Sequence, residues 1–230
     1  VPDDSRLGQV HGLSVAEWRF PKGTKGVRGY RVELERPLAT SPQPGAAFTL
    51  PGLGAPGWSI RNCQFRDHRG IGIRMQASRG LIEGNVFERI KMTAIQLAPQ
   101  LSFWSEAGWV SEVSVRGNVI REAGYDPVMW SPLDRVGYGA IAVTVMTSRP
   151  ADDALLRWPQ PPQNRRISIT SNVVEGCSVA GIFVNAASDV HIAGNQLRRV
   201  NEKDGARAGS NYALCSTHAI TVLNSLRVSV

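Results

Sequence analysis

One short phrase returns five times along this chain: "SIRNCQF" from Ser59, "LIEGNVF" from Leu81, "SVRGNVI" from Ser114, "SITSNVV" from Ser168 and "HIAGNQL" from His191. Superposed, the phrases put Cys63, Asn85, Asn118, Asn172 and Asn195 at one position, with intervals of 22, 33, 54 and 23 residues. Three places earlier stands a β-branched residue (Ile60, Ile82, Val115, Ile169, Ile192), and two places later an apolar one (Phe65, Phe87, Ile120, Val174, Leu197). Apolar residues at fixed offsets from a tight corner mark a structural repeat, and few folds accommodate one this short.

A second apolar run follows each phrase: "GIGIRMQ" from Gly70, "AIQLA" from Ala94, "AIAVTV" from Ala140, "GIFVN" from Gly181 and "AITVL" from Ala219. Every unit thus carries three short strands and no helical period. A repeat of roughly 22 residues made only of strands predicts a solenoid of parallel strands. Parallel crossovers are strongly biased to the right hand, so the expectation is an all-β, right-handed parallel β-helix of about five coils. Asparagine at a tight corner tolerates left-handed backbone and can bond neighbouring amides through its side chain. The five aligned residues are therefore read as a structural ladder, with Cys63 as a small buried rung.

Composition sets bounds on this reading. The chain is long enough to bury a full core. Its 42% hydrophobic and only 7% aromatic residues suit a thin, aliphatic coil interior. It has no apolar run of about 18 residues, so no membrane-spanning helix is expected. Cys63, Cys177 and Cys215 make an odd count without CxxC or His spacing, which argues against a disulfide framework or a zinc site; no metal and no cofactor is expected. The closing "LRVSV" places Val228 and Val230 where Val190 and Ile192 stand one unit earlier, so the β-helix, spanning 58–230, is expected to stop inside a coil at its C-terminal end. Residues 1–57 differ in kind. "GYRVELERPL" from Gly29 alternates apolar and charged residues, and Gly/Pro-rich turns flank it, which predicts a small antiparallel β subdomain or barrel-like insertion.

Function is expected along the second run of each unit, where loops on either side would wall a groove. Alternation predicts Ile71, Ile73, Ile95, Leu97, Ile141 and Val143 inside, with Gly72, Arg74, Gln76, Gln96, Ala142, Thr144, Phe183, Asn185 and Thr221 on an open outer strip. "RDHRG" (Asp67, His68, Arg69), Lys91 and the stretch holding Tyr125 and Asp126 would form one wall. Trp104, Glu106 and Trp109 would stand in the other. Aromatic faces suit sugar C–H surfaces, while carboxylates and arginines suit hydroxyls and acids. The substrate-binding candidates are His68, Arg69, Arg74, Gln96, Trp104 and Tyr125, and the catalytic candidates are Asp67, Glu106 and Asp126. Each also has a plain structural reading: a turn ion pair at 67–69, tryptophans packing a loop onto the coil, and Asp126 opening a turn before Pro127.

The stretch 68–125, with its "HRG" strand start, "GLIEGN" corner, "WSEAG" loop and "VSVRGN" coil, resembles the right-handed parallel β-helix proteins of the pectin-lyase-like superfamily. Its likeness is to the branch related to glycoside hydrolase family 110, inverting α-galactosidases in which a barrel insertion precedes this part. That family carries its catalytic acids in an Asp-Asp motif before Val-His-Gly. Here "DDSRLGQVHG" has Asp3 and Asp4 with a longer spacer.

Three functions fit the residues. The first is an inverting glycoside hydrolase, whose acid and base stand about 6.5–9.5 Å apart; Asp67 and Asp126, two coils apart, would be separated by roughly 10 Å. A second is a non-catalytic glycan-binding or structural β-helix. A third is a polysaccharide lyase on an anionic glycan, favoured by the net charge of +7 and by Arg69, Arg74 and Lys91 in one groove. No recognised nucleic-acid motif accompanies the charge. The expected partner is an oligo- or polysaccharide, and the expected place secreted, periplasmic or at the cell surface.

Overall fold

The computed structural model describes residues 55–99, 108–125, 139–145, 162–201 and 218–230. The expected N-terminal β subdomain falls outside these, as do Trp104, Glu106 and Asp126. The described residues form sixteen strands and no helix. Sheet A takes β1 (Trp58–Arg61), β4 (Gly80–Glu83), β7 (Ser111–Arg116), β10 (Asn164–Thr170), β13 (Ala187–Ala193) and β16 (Leu226–Ser229), in that order. Sheet B takes β2 (Gln64–His68), β5 (Val86–Ile90), β8 (Val119–Ala123), β11 (Val173–Cys177) and β14 (Gln196–Val200). Sheet C takes β3 (Ile73–Met75), β6 (Ile95–Leu97), β9 (Gly139–Val143), β12 (Ala180–Asn185) and β15 (Ile220–Leu223). All pairings are parallel and each strand lies on the equivalent strand of the next unit, so the fold is a right-handed parallel β-helix.

The apolar offsets of the repeat become columns through the core. Ile60, Ile82, Val115, Ile169 and Ile192 are successive partners in sheet A. Phe65, Phe87, Ile120, Val174 and Leu197 are partners in sheet B, the two phenyl rings stacking at 4.8 Å. One position breaks its column informatively. Gly80 stands in line with Trp58, Val113, Ile167, Val190 and Val228, and a Cβ on it would lie 2.1 Å from the Trp58 ring. Indole thus fills the space that an aliphatic side chain occupies elsewhere.

Left-handed residues recur at the same place in each coil and turn the chain without interrupting the stack. Asn62, Gly84, Gly117, Ser171 and Gly194 all have φ between 55° and 64° at the corner from sheet A to sheet B. Immediately after them the ladder runs through the molecule. The Oδ1 of Asn85, Asn118, Asn172 and Asn195 accepts the backbone N–H of Cys63, Asn85, Asn118 and Asn172 respectively, at 2.9–3.0 Å. Each Nδ2 donates to the carbonyl of the preceding sheet A strand, at Ile60, Ile82, Val115 and Ile169. Cys63, expected to be buried, is exposed; among the described residues its ladder partner is Asn85.

A second polar corner joins sheet C to sheet A. Asn164 accepts from the Val110 N–H and donates to the Thr144 carbonyl, Asn224 donates to Asn185 Oδ1, and the Ser225 hydroxyl accepts from the Ala187 N–H. Thr144 and Asn185, expected on the open strip, are thereby committed to holding this corner. Trp109 packs here against Val145 and Ala186. Gly108 beside it lies so close that a Cβ would come within 2.0 Å of the Gln76 carbonyl oxygen, which accounts for the glycine of "WSEAG".

Candidate functional site

Sheets A and B present charge to solvent in alternating columns. Glu83 is bracketed by Arg61 and Arg116, both at 2.7 Å, and Glu88 by Arg66 at 3.0 Å and Arg121 at 3.2 Å. Arg166 pairs with Glu112 and Arg227 with Asp189, both at left-handed positions. Parallel stacking in register brings each side chain directly over its counterpart, so alternation of sign along a column is the arrangement that avoids repulsion.

Asp67 belongs to these columns. It lies within β2 on sheet B and takes a two-pronged hydrogen bond from Arg89, at 2.5 and 2.9 Å. This bond, with the charges of Arg89 and Arg66, holds its carboxyl below the usual range. A general acid for glycoside cleavage needs the reverse, a carboxyl held up toward neutrality. The Tyr125 hydroxyl donates to the Arg89 backbone carbonyl at 3.4 Å, so Tyr125 touches the backbone of the residue whose side chain holds Asp67. His68 shares a register with Ile90, Ala123, Cys177 and Val200, a core column, and is exposed on the first described coil. Arg69 follows on the exposed corner.

Sheet C is built differently. Its strands β6, β9 and β12 are buried at every position, on both faces. The side away from the core carries the row Arg74, Gln96, Ala142, Phe183 and Thr221. Ala142 and Phe183 form an apolar cluster with Leu223, separate from the coil interior. Arg74 and Gln96 are thus direct neighbours, as their spacing predicts. The open strip expected of them is not found: Gln96 is 2% exposed, Thr221 7%, and Ala142 and Phe183 are fully buried. The signal was available in "AIAV" and "GIFV", whose near-continuous apolar character marks strands covered on both faces. Gly72, expected outward, has its Cβ direction aimed at Phe87 inside the coil.

Polar atoms without partners concentrate at this sheet. Gln96 Oε1, Thr221 Oγ1, Gln76 Nε2 and, just ahead of β6, Thr93 Oγ1 are buried with no hydrogen bond. Each such atom costs about 1–3 kcal/mol, and buried polar groups are otherwise nearly always satisfied. By contrast, all carboxylates among the described residues, Asp67, Glu83, Glu88, Glu112, Glu122, Glu175 and Asp189, stand on sheets A and B. The described residues hold no cluster of three or more metal-ligating side chains, and no helix among them is long and apolar enough to cross a membrane.

No protein-family model matches the chain and no curated protein matches it.

Proposed function

We propose that this chain is a carbohydrate-active β-helix that recognises a hydroxyl-rich glycan along the outer row of sheet C. The observation that carries the reading is the set of orphaned polar atoms there. Gln96 Oε1 is an acceptor without a donor, and Thr221 Oγ1 can donate or accept. Sugar hydroxyls supply both roles, and the Arg74 side chain starts the same row. Such a substrate suits a secreted, periplasmic or cell-surface setting.

Hydrolysis, in the inverting α-galactosidase-like manner, is proposed to draw its acid and base from Glu106 and Asp126, which lie outside the described residues. Asp67 is no longer proposed for either role, because its ion pair with Arg89 keeps it charged and turned to sheet B. Calorimetric titration with galactose-terminated and with uronate-rich oligosaccharides tests the binding claim. Saturable binding of the galactose-terminated glycan, weakened by Gln96→Leu and Arg74→Ala, is expected. Equal binding by both variants would overturn the site, and preference for uronates would transfer the case to an anionic substrate. Sugar release that survives Asp67→Asn but not Glu106→Gln or Asp126→Asn is the expected catalytic pattern.

A further inference from the structure

Left-handed acids in the charge columns are met by an arginine one coil further along. Arg89 donates to Asp67, Arg166 to Glu112 and Arg227 to Asp189, and the first and last of these contacts are two-pronged. Glu122, also left-handed, breaks the rule. In register with it, one coil on, stands Gly176. Of the seven carboxylate side chains among the described residues, six are in ion pairs and Glu122 is not. Its strand is paired on both sides, to β5 and to β11, so the break lies inside the stack and not at an edge.

Nothing local demands glycine at 176. Asp67, Arg89, Glu122 and Arg199 hold the same column with φ between 46° and 56°, so side chains adopt its left-handed backbone. A Cβ there would lie 3.8 Å from the Glu122 Cγ, an ordinary contact. The neighbouring arginines are already engaged: Arg89 attracts Glu122 by charge but donates to Asp67, Arg121 donates to Glu88 and Arg199 to Glu175. Tyr125, 47% exposed, hangs its hydroxyl on the Arg89 carbonyl, which fixes an aromatic ring at the strand next to Glu122.

We propose that Glu122, the bare backbone at Gly176 and the Tyr125 ring form a receptor for a guanidinium group, supplied by an arginine side chain of a partner protein. The column itself is the template. A guanidinium lying over Gly176 takes the place that Arg89 takes over Asp67, with two parallel N–H···O bonds to the carboxylate. The tyrosine face adds attraction for the cation. Guanidinium is preferred to ammonium because only the planar fork makes both bonds at once. The receptor lies on sheet B and does not depend on glycan recognition at sheet C.

The probe is N-acetylarginine methylamide, titrated onto the intact isotope-labelled chain and followed by the backbone amide resonances of Glu122, Gly176 and Tyr125. Saturable shifts confined to that neighbourhood are expected, at the weak affinity of an exposed ion pair, with N-acetyllysine methylamide binding roughly fivefold more weakly. Glu122→Gln should abolish saturation at an unaltered melting temperature. Gly176→Arg supplies the guanidinium from the chain itself, so binding of the probe should fall roughly tenfold or more while the fold is kept. Absence of saturable shifts, an equal response to the lysine compound, or undiminished binding by either variant would each overturn the proposal.

Discussion

Asn118 Oδ1 accepts two hydrogen bonds from Asn85, one from its backbone N–H and one from its Nδ2, each at 3.0 Å. Asn118 in turn donates its own amide and Nδ2 to Asn172. A single side chain therefore satisfies groups on both neighbouring coils, in a fully buried corner. Replacing Asn118 with leucine leaves the Asn85 amide buried and unpaired. The expected loss is about 1–3 kcal/mol, read by denaturant unfolding, without a change in glycan affinity. Cys63→Ala, at the exposed end of the same ladder, should cost much less, since the Cys63 amide remains to meet Asn85.

Trp58 and Gly80 should behave as a coupled pair. Gly80→Val alone forces its new side chain into the indole and is expected to destabilise by about 1–3 kcal/mol. In a Trp58→Ala background the same valine completes the aliphatic column and should stabilise. A double-mutant cycle measures the coupling, and additive effects would show that the ring does not occupy the column.

Gln96→Leu should raise stability by roughly 1–3 kcal/mol while weakening glycan binding, since it removes a buried acceptor that has no partner in the free protein. Thermal unfolding and calorimetry on the one variant read both effects. A loss of stability would mean that the amide is satisfied without ligand.

Acid should loosen the coil through its surface carboxylates. Hydrogen bonds from Arg89 and Arg227 hold the carboxyls of Asp67 and Asp189 below their ordinary 3.8. Partial burial raises that of Glu83, but the bonds and charges of Arg116 and Arg61 outweigh it and leave it below 4.5. Folded values below unfolded ones mean stability that is present above the unfolded values and lost as pH falls through the folded ones. The melting temperature should be level from neutrality to about pH 5 and fall below about pH 4. In Asp67→Asn part of that fall should disappear.

The two described cysteines should separate by reactivity. Burial pushes the Cys177 thiol up to about 11, whereas Cys63 is exposed. Alkylation at mildly alkaline pH, followed by peptide mass mapping, should label Cys63 quickly and Cys177 only on unfolding.

Much of this architecture was legible in the order of residues. The Gly-Asn corner and its flanking offsets specify the parallel stack, because left-handed backbone and a short amide side chain are local requirements that only a few residue types meet. Ile60, Phe65 and their successors fall where those offsets predict, since side-chain alternation in a strand is set by the backbone alone. What the sequence did not reveal depends on register between distant units. That Asp67 would meet Arg89, and Glu88 both Arg66 and Arg121, follows only once coils of unequal spacing are brought into line. Asp67 in isolation reads equally well as a catalytic acid. The outer face of sheet C changed most between reading and structure: alternation correctly placed Gln96 and Thr221 on that side, but burial there is a property of what the folded chain brings against the sheet. Local chemistry thus determined the repeat and its corner, while the tertiary stack decided which charges are paired and which polar atoms are left waiting for a partner.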